Sequence, residues 1–250
     1  MYSGYDRNGE WYQLYQIGFG GIPGRPVGDG PDGHSLWPAF TNVPNEFLES
    51  YFPLRIVAYE SIPDSGGAGL HRGGNGVSIG YMFLEPGEIS IHDDRWLTHP
   101  WGVNGGLPGA RSTKLMRRAD GTEERLHSKC DRVPVAPGDV LHFNTWGGGG
   151  WGDPLKRDPA KVVKDVERGL VTAAGARRYG VVLGPDGGVD AQATADLRER
   201  MARERGATAL FDRGGTVEEL KARCKAETGF DPPRAPEFQT WMRGGTRAEA

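Results

Sequence analysis

Three clusters in this 250-residue chain combine residue types that could do chemistry. The first runs Asp64, Ser65, Gly66, Gly67, Ala68, Gly69, Leu70, His71, Arg72, Gly73, Gly74, Asn75, Gly76. Glycines let backbone N–H groups converge on an anion, and Arg72 adds a bidentate donor, so the run suits a phosphate or a carboxylate. It lacks the Gly-Lys-Ser/Thr ending of a P-loop and opens no evident helix, so a tight structural turn or a subunit contact weighs more heavily.

The second cluster is the run Gly147, Gly148, Gly149, Gly150 between Trp146 and Trp151. Consecutive glycines cost folding entropy at every position, so the backbone there must adopt a conformation, or an approach, that a Cβ forbids. The two tryptophans could wall an apolar pocket or pack the loop onto a sheet, and packing is the simpler use. The third cluster is His92, Asp93, Asp94, Arg95, Trp96, Leu97, Thr98, His99. Imidazoles and carboxylates suit divalent ions, but the spacing matches no established metal motif. An Asp–Arg pair steadying a turn before Pro100 is the better expectation, and no metal is assigned to this chain.

Self-contained nucleophilic chemistry has little support. The chain holds no Gly-x-Ser-x-Gly elbow, and its two cysteines, Cys130 and Cys224, have no local histidine suited to activate them. His127 is near Cys130 in sequence, but on a strand the two would point to opposite faces. Two distant cysteines make neither a disulfide framework nor a cysteine-type zinc site, which fits a reducing cytoplasm. A net charge of −3 gives no basic field for nucleic acid or for an anionic membrane surface. No charged-then-apolar leader is visible and no stretch approaches the roughly 20 apolar residues of a membrane span, so a cytoplasmic chain without nucleic-acid or membrane partners is expected.

The elements that must position these clusters divide into two textures. Of the 40 glycines, 28 fall between Met1 and Leu155. There, β-branched and aromatic runs between Gly, Pro and Asp predict strands over Tyr12–Phe19, Leu54–Ser61, Val77–Leu84, Glu88–His92, Thr113–Arg118, Glu124–Val135 and Asp139–Trp146. Imperfect alternation from Ser78 to Leu84 suggests a strand buried on both faces. After a boundary near residues 154–159 the pattern turns helical. Asp158 caps a helix opened by Pro159, with Val162, Val163, Val166 and Leu170 on one stripe. Asp190 caps a second helix with Ala193, Leu197 and Met201 ahead of Gly206, and Thr216 with Glu219 forms a capping box for a third. The expected architecture is α+β: a glycine-rich, β-rich body over residues 1–155, and amphipathic helices over 156–250 packed on it, with a loose tail from about residue 231.

Taken in order, the motifs resemble those of a known family. Asp29-Gly-Pro-Asp-Gly33, Asn42-Val-Pro-Asn-Glu46, Pro63-Asp-Ser-Gly-Gly-Ala-Gly69, Arg72-Gly-Gly74, Pro100-Trp-Gly102, Gly105-Gly-Leu-Pro-Gly109, Gly138-Asp139 and Gly147-Gly-Gly-Gly-Trp-Gly-Asp-Pro-Leu-Lys-Arg-Asp-Pro159 are similar to the C-terminal half of hydantoinase B/oxoprolinase subunits. Each motif alone is weak, and the specificity lies in their shared order from about Glu10 to Leu183.

The resemblance implies membership of a multi-subunit enzyme that opens cyclic amides such as hydantoins, oxoproline or lactams with ATP. Carboxylation of ketones such as acetone or acetophenone is the enzymatic alternative, and a purely structural subunit is the non-catalytic one. It further implies an ATP site on a hydantoinase A-like partner and, in the carboxylating branch, a divalent metal outside this chain. The family's metal-type histidine and aspartate motifs lie in an N-terminal half that has no counterpart here, so a second polypeptide is expected to supply it and the isolated chain to be inactive. Binding of substrate or partner is expected at Asp64, Ser65, Gly66, Gly67, Arg72, Gly73, Gly74, Trp146 and Gly147 to Gly150. One departure stands out: the family's Thr-Pro-Gly-Gly is Thr145-Trp146-Gly147-Gly148 here, a rigid proline exchanged for a large aromatic.

Overall fold

The computed structural model describes residues 1–34 and 41–232. Two antiparallel sheets face each other across one core. The four-stranded sheet has the order β2–β1–β5–β9, formed by Trp11–Leu14, Tyr2–Tyr5, Gly87–His92 and Lys129–Val135. The five-stranded sheet has the order β3–β4–β10–β7–β8, formed by Leu54–Ser61, Val77–Phe83, Val140–Asn144, Thr113–Arg117 and Glu123–Arg125. Tyr2, Ile89 and Val135 from the first sheet meet Phe83, Met116 and Leu141 from the second, and Leu48 of α1 (Asn45–Tyr51) closes the cluster. In β4 the adjacent Ile79 and Gly80 are both buried, as a central strand covered on both faces requires.

Two of the expected strands depart most from their spans, while Asp139–Trp146 narrows to Val140–Asn144 and others lose a terminal residue. The expected strand over Tyr12–Phe19 ends at Leu14, because beyond it Gly18 presses against the Phe143 ring and Gly20 against the Trp146 indole. The expected strand over Glu124–Val135 is two strands. Its first part pairs with β7 in one sheet and its second with β5 in the other, so the chain crosses the sandwich through His127 and Ser128. Strand β1 and helix α1 were not anticipated. The helix is seven residues with Leu48 as its one buried side chain, too short to show an apolar period.

Helices occupy the C-terminal part, each starting at the cap its sequence foretells. Asp158 accepts from the Ala160 N–H ahead of α2 (Pro159–Glu167), and Asp190 from the Ala193 N–H ahead of α3 (Ala191–Arg205). Thr216 and Glu219 cap each other's orphan N–H groups ahead of α4 (Val217–Thr228). A second core gathers Val162, Val171, Tyr179 and Val181 around Ala68, so this region rests on the first glycine cluster. The short strands β6 (Gly102–Val103) and β11 (Phe211–Asp212) tie the segment before α4 back to the body. Of the expected loose tail, only Asp231 and Pro232 fall among the described residues. None of the described helices is long and apolar enough to cross a membrane.

Candidate functional site

The glycine clusters converge on one another, and Gly147 to Gly150 lie at the centre. None of these four has a positive φ, so turn geometry is not why they are glycine. Close approach is. A Cβ would fall well under 3.0 Å from the Ser65 carbonyl oxygen at Gly147, from that of Ile22 at Gly148, from that of Trp101 at Gly149 and from that of Ala68 at Gly150. Residues three apart therefore face one neighbouring segment, Ser65 and then Ala68. Hydrogen bonds repeat the period: the N–H groups of Gly147 and Gly150 donate to the Ala110 and Leu107 carbonyls, and those of Gly148 and Trp151 to the Gly74 and His71 carbonyls. Three residues per turn without internal bonds is the geometry of a polyproline II chain. Here such a chain is sheathed by segments 21–24, 65–76 and 101–110, and lateral bonds to them replace water.

This packing uses the polar groups that the first cluster offered to an anion. The Gly66 N–H donates to Asn75 Oδ1, and the N–H groups of Gly67, Gly73 and Gly74 donate to the carbonyls of Gly148, Gly67 and Ile22. Arg72 is buried and gives its guanidinium to Asp32 at 2.7 and 3.3 Å and to the Gly73 carbonyl at 2.9 Å. Ser65 Oγ donates to the Ile62 carbonyl at 2.6 Å and accepts from the Gly76 N–H at 2.9 Å. Asp64 sits at φ 62° and clasps Thr172 through both carboxylate oxygens, while Arg178 donates to its carbonyl. These groups are taken up by internal hydrogen bonds, as the structural turn that weighs more heavily in the sequence would use them, with Asp64 and Arg72 fastening the bundle to its surroundings.

A second fastening comes from Arg157, whose side chain is 1% exposed. It donates two bonds of 2.7 Å to the Asp29 carboxylate, one of 2.8 Å to Asp165 and one of 3.0 Å to the Leu70 carbonyl. Burial opposes its charge, but the two carboxylates more than offset this and hold the guanidinium above its ordinary value. Asp29 shows the mirror effect: burial pushes its carboxyl up, while Arg157 and the Arg72 N–H hold it below the usual carboxylate range. The nearby Tyr179 hydroxyl is pushed up to about 12 by burial.

The third cluster arranges itself differently from expectation. Its aspartates pair with lysines rather than with Arg95: Asp93 with the fully buried Lys114, and Asp94 with Lys129 at 2.8 Å. Strand β7 runs alongside and brings Lys114 inward, so it, not the neighbouring arginine, reaches Asp93. Burial lowers the Lys114 pKa, and Asp93 offsets this only in part. His92 lies 2.7 Å from Asp131, and His99 Nδ1 donates to the Gly109 carbonyl at 2.8 Å. Among the described residues no three His, Cys, Asp or Glu side chains converge as metal ligands, and the cluster N–H groups described above already have protein acceptors. These residues do not fit an ATP or metal site, and no phosphoryl-transfer step is assigned to them.

Between the sheets, where the chain leaves β2, lies a cavity of about 310 Å³. Leu14, Ile89 and Ile91 face Tyr81 and Phe143 across it, Trp146 contributes its indole, and Gln16, Asp93 and His92 supply polar groups. Lys114 stands behind this wall, its ammonium 4.2 Å from the centre of the Phe143 ring. Trp146 packs on Gly20 and lines this cavity, and Trp151 packs with its ring 5.7 Å from that of His71. Gln16, Tyr81, Phe143 and Lys114 went unmarked in the sequence because each lies alone in an ordinary strand or loop pattern, and they meet only when the sheets stack.

Comparison with known proteins agrees with the family resemblance read from the sequence. The chain is 37% identical over 164 residues to the caprolactamase subunit beta of Pseudomonas jessenii, covering 60% of this chain and 26% of that one. It is 31% identical over 191 residues to the acetophenone carboxylase delta subunit of Aromatoleum aromaticum, covering 63% and 28%. The crystal structure of the ATP-dependent caprolactamase from Pseudomonas jessenii superposes with a TM-score of 0.65 at 28% identity, over 79% of this chain and 36% of that chain. The chain thus spans about a quarter to a third of the length of these three relatives. The hydantoinase B/oxoprolinase model matches residues 1–154, and with the ordered glycine motifs and their common bundle this chain belongs to that family.

Proposed function

We propose that this chain forms part of a B-type subunit in a multi-subunit, ATP-dependent hydrolase of cyclic amides of the hydantoin, oxoproline or lactam type. The observation that carries the reading is the 37% identity to a caprolactamase subunit, joined to the 28% identical structure of that enzyme. In this reading a hydantoinase A-like partner binds ATP, and the remaining part of the B-type unit brings the reaction centre and any divalent metal. The chain supplies the rigid glycine bundle, in which Asp64 to Gly74 and Trp146 to Gly150 act as scaffold and reach substrate or partner only through the segments they hold in place.

The likeness to an acetophenone carboxylase subunit supports a second reading, ATP-dependent ketone carboxylation. Reconstitution with an A-type subunit and the rest of a B-type unit separates the two. Lactam-dependent ATP hydrolysis that needs no bicarbonate supports the amide reading, and ketone-dependent ATP hydrolysis that requires bicarbonate replaces it. The chain alone is expected to hydrolyse neither ATP nor a lactam, and turnover by the purified chain would overturn the assignment of the reaction centre to its partners.

A further inference from the structure

Strand β11 and helix α4 form an arm laid over segment 96–111, and a histidine lies beneath it. The N–H groups of Asn104 and Gly105 donate to the Leu210 and Ala209 carbonyls at 2.7 and 3.0 Å, and β11 pairs with β6. Beneath β6 is the glycine bundle, since the Val103 N–H donates to the Gly150 carbonyl at 3.0 Å. From α4, Glu227 pairs with the buried Arg111, Arg223 donates to the Gly214 carbonyl, and Cys224 Sγ lies 3.9 Å from the Trp96 carbonyl.

His99 sits between the two layers. Its Nδ1 faces the Gly109 carbonyl, which can only accept, so Nδ1 carries the proton and Nε2 of the neutral ring is a bare acceptor. That nitrogen is sealed from solvent and has no hydrogen-bond partner among the described residues. The ring edge touches the arm, since a Cβ at Gly214 would stand 3.6 Å from His99 Cδ2. The charged groups around the ring are Arg111 from the body, Arg223 from α4 and Asp212 from β11. None of them is free to take a second proton's charge: Glu227 is matched to Arg111, and Asp212 accepts from the Gly214 N–H at 2.8 Å. A proton on Nε2 would therefore create a buried cation without an acceptor, beside two guanidinium groups. Burial outweighs the Gly109 carbonyl and, with Arg111 and Arg223, holds the imidazole below its ordinary value.

We propose that His99 is a proton-sensitive latch: neutral, it lets the β11–α4 arm lie on segment 96–111, and protonated in mild acid it lifts the arm so that the imidazolium reaches water. An exposed histidine titrates near 6.5 and the covered one lower, so the open arm takes up the proton first as pH falls. Docking is strongest above about pH 6.5 and weakens as pH drops toward the covered value. The test needs neither ATP nor a partner.

Amide hydrogen exchange of the full chain, corrected for its intrinsic pH dependence, is followed on α4, with α2 as internal reference. Between about pH 7.5 and pH 5.5 the protection of α4 is expected to fall about threefold to tenfold while that of α2 holds, ten being the most that one histidine contributes one unit below its exposed value. His99→Asn keeps a donor for the Gly109 carbonyl and does not titrate, so its α4 protection should stay flat. A second histidine borders the arm: the His127 ring lies 4.3 Å from that of Trp96 and 5.2 Å from that of Phe230. His127→Gln should fall as the wild type does. Wild-type protection constant within about twofold would overturn the latch, as would a fall that persists in His99→Asn. Should His99→Asn leave α4 unprotected at both pH values, His127→Gln decides: a fall like that of the wild type supports His99, and a flat profile overturns it.

Discussion

Gly149 and the Trp101 carbonyl meet so closely that no side chain fits between them: a Cβ on Gly149 would lie well under 3.0 Å from that oxygen. The obstacle is backbone, which cannot swing aside as a flexible side chain can. Gly149→Ala should therefore destabilise the chain by at least about 3 kcal/mol, the upper end of overpacking penalties. Gly121→Ala is the control, since Gly121 has φ 87° and open space around it, and should cost only about 1–2 kcal/mol of left-handed strain. Urea unfolding of both variants checks the order. Gly148→Val should lose stability and assembly together, and loss of activity at an unchanged midpoint would instead make the loop a contact site.

Arg157 neutralises two carboxylates in a buried setting. Arg157→Met leaves Asp29 and Asp165 facing each other without their cation and should cost about 3–5 kcal/mol. Equilibrium unfolding at neutral pH measures it.

The depressed Asp29 carboxyl makes stability depend on acid. Its unfolded value is near 3.9 and its folded value lies lower, so the unfolded chain takes up the proton first as pH falls. The contribution of Asp29 is complete above about pH 4 and is lost as pH drops through the folded value. Between pH 7 and pH 3 the wild-type urea midpoint should fall further than that of Asp29→Asn. Equal falls would show that Asp29 titrates alike in both states.

Lys114 and Asp93 should behave as a unit. Lys114→Met alone strands a buried carboxylate and should destabilise by about 3–5 kcal/mol. Adding Asp93→Asn to it should recover most of the loss, giving a large coupling in a double-mutant cycle. Simple additivity of the two single changes would count against the pair.

The two thiols should separate cleanly. Cys224 lies fully buried on the inner side of α4 and Cys130 is only partly buried, so iodoacetamide should modify Cys130 in the native chain and Cys224 only on unfolding. Burial also pushes the Cys130 thiol up, so its alkylation rate should still be rising beyond pH 9 rather than levelling off. Mass spectrometry of peptides over a pH series reads both.

Local signals carried much of this fold into view. Asp158, Asp190 and the Thr216–Glu219 box act within a few residues of themselves, so the starts of three helices could be read directly. Strand β3 matches its expected span from Leu54 to Ser61, because alternation and flanking punctuation are local too. Exchange between sheets is not local. Nothing near His127 says that β8 and β9 pair with different sheets, because that choice depends on β5 and β7. The glycine clusters were legible as special but not as mutual, since the partner of Gly147 lies at Ser65 and that of Gly149 at Trp101. Arg72 illustrates the limit: its reach was evident, but its partner Asp32 stands 40 residues away.

The threefold winding of the central glycine segment also restricts how the gene can change. Each residue from Gly147 to Gly150 addresses a different neighbour, and the address repeats only after three steps. Inserting or deleting one residue would rotate everything downstream by about a third of a turn and aim each N–H at the wrong carbonyl. A change of three would restore the pattern, one turn along. Length variation within this segment should therefore come in triplets of amino acids, whereas the β8–β9 crossing, with no such winding, can drift one residue at a time.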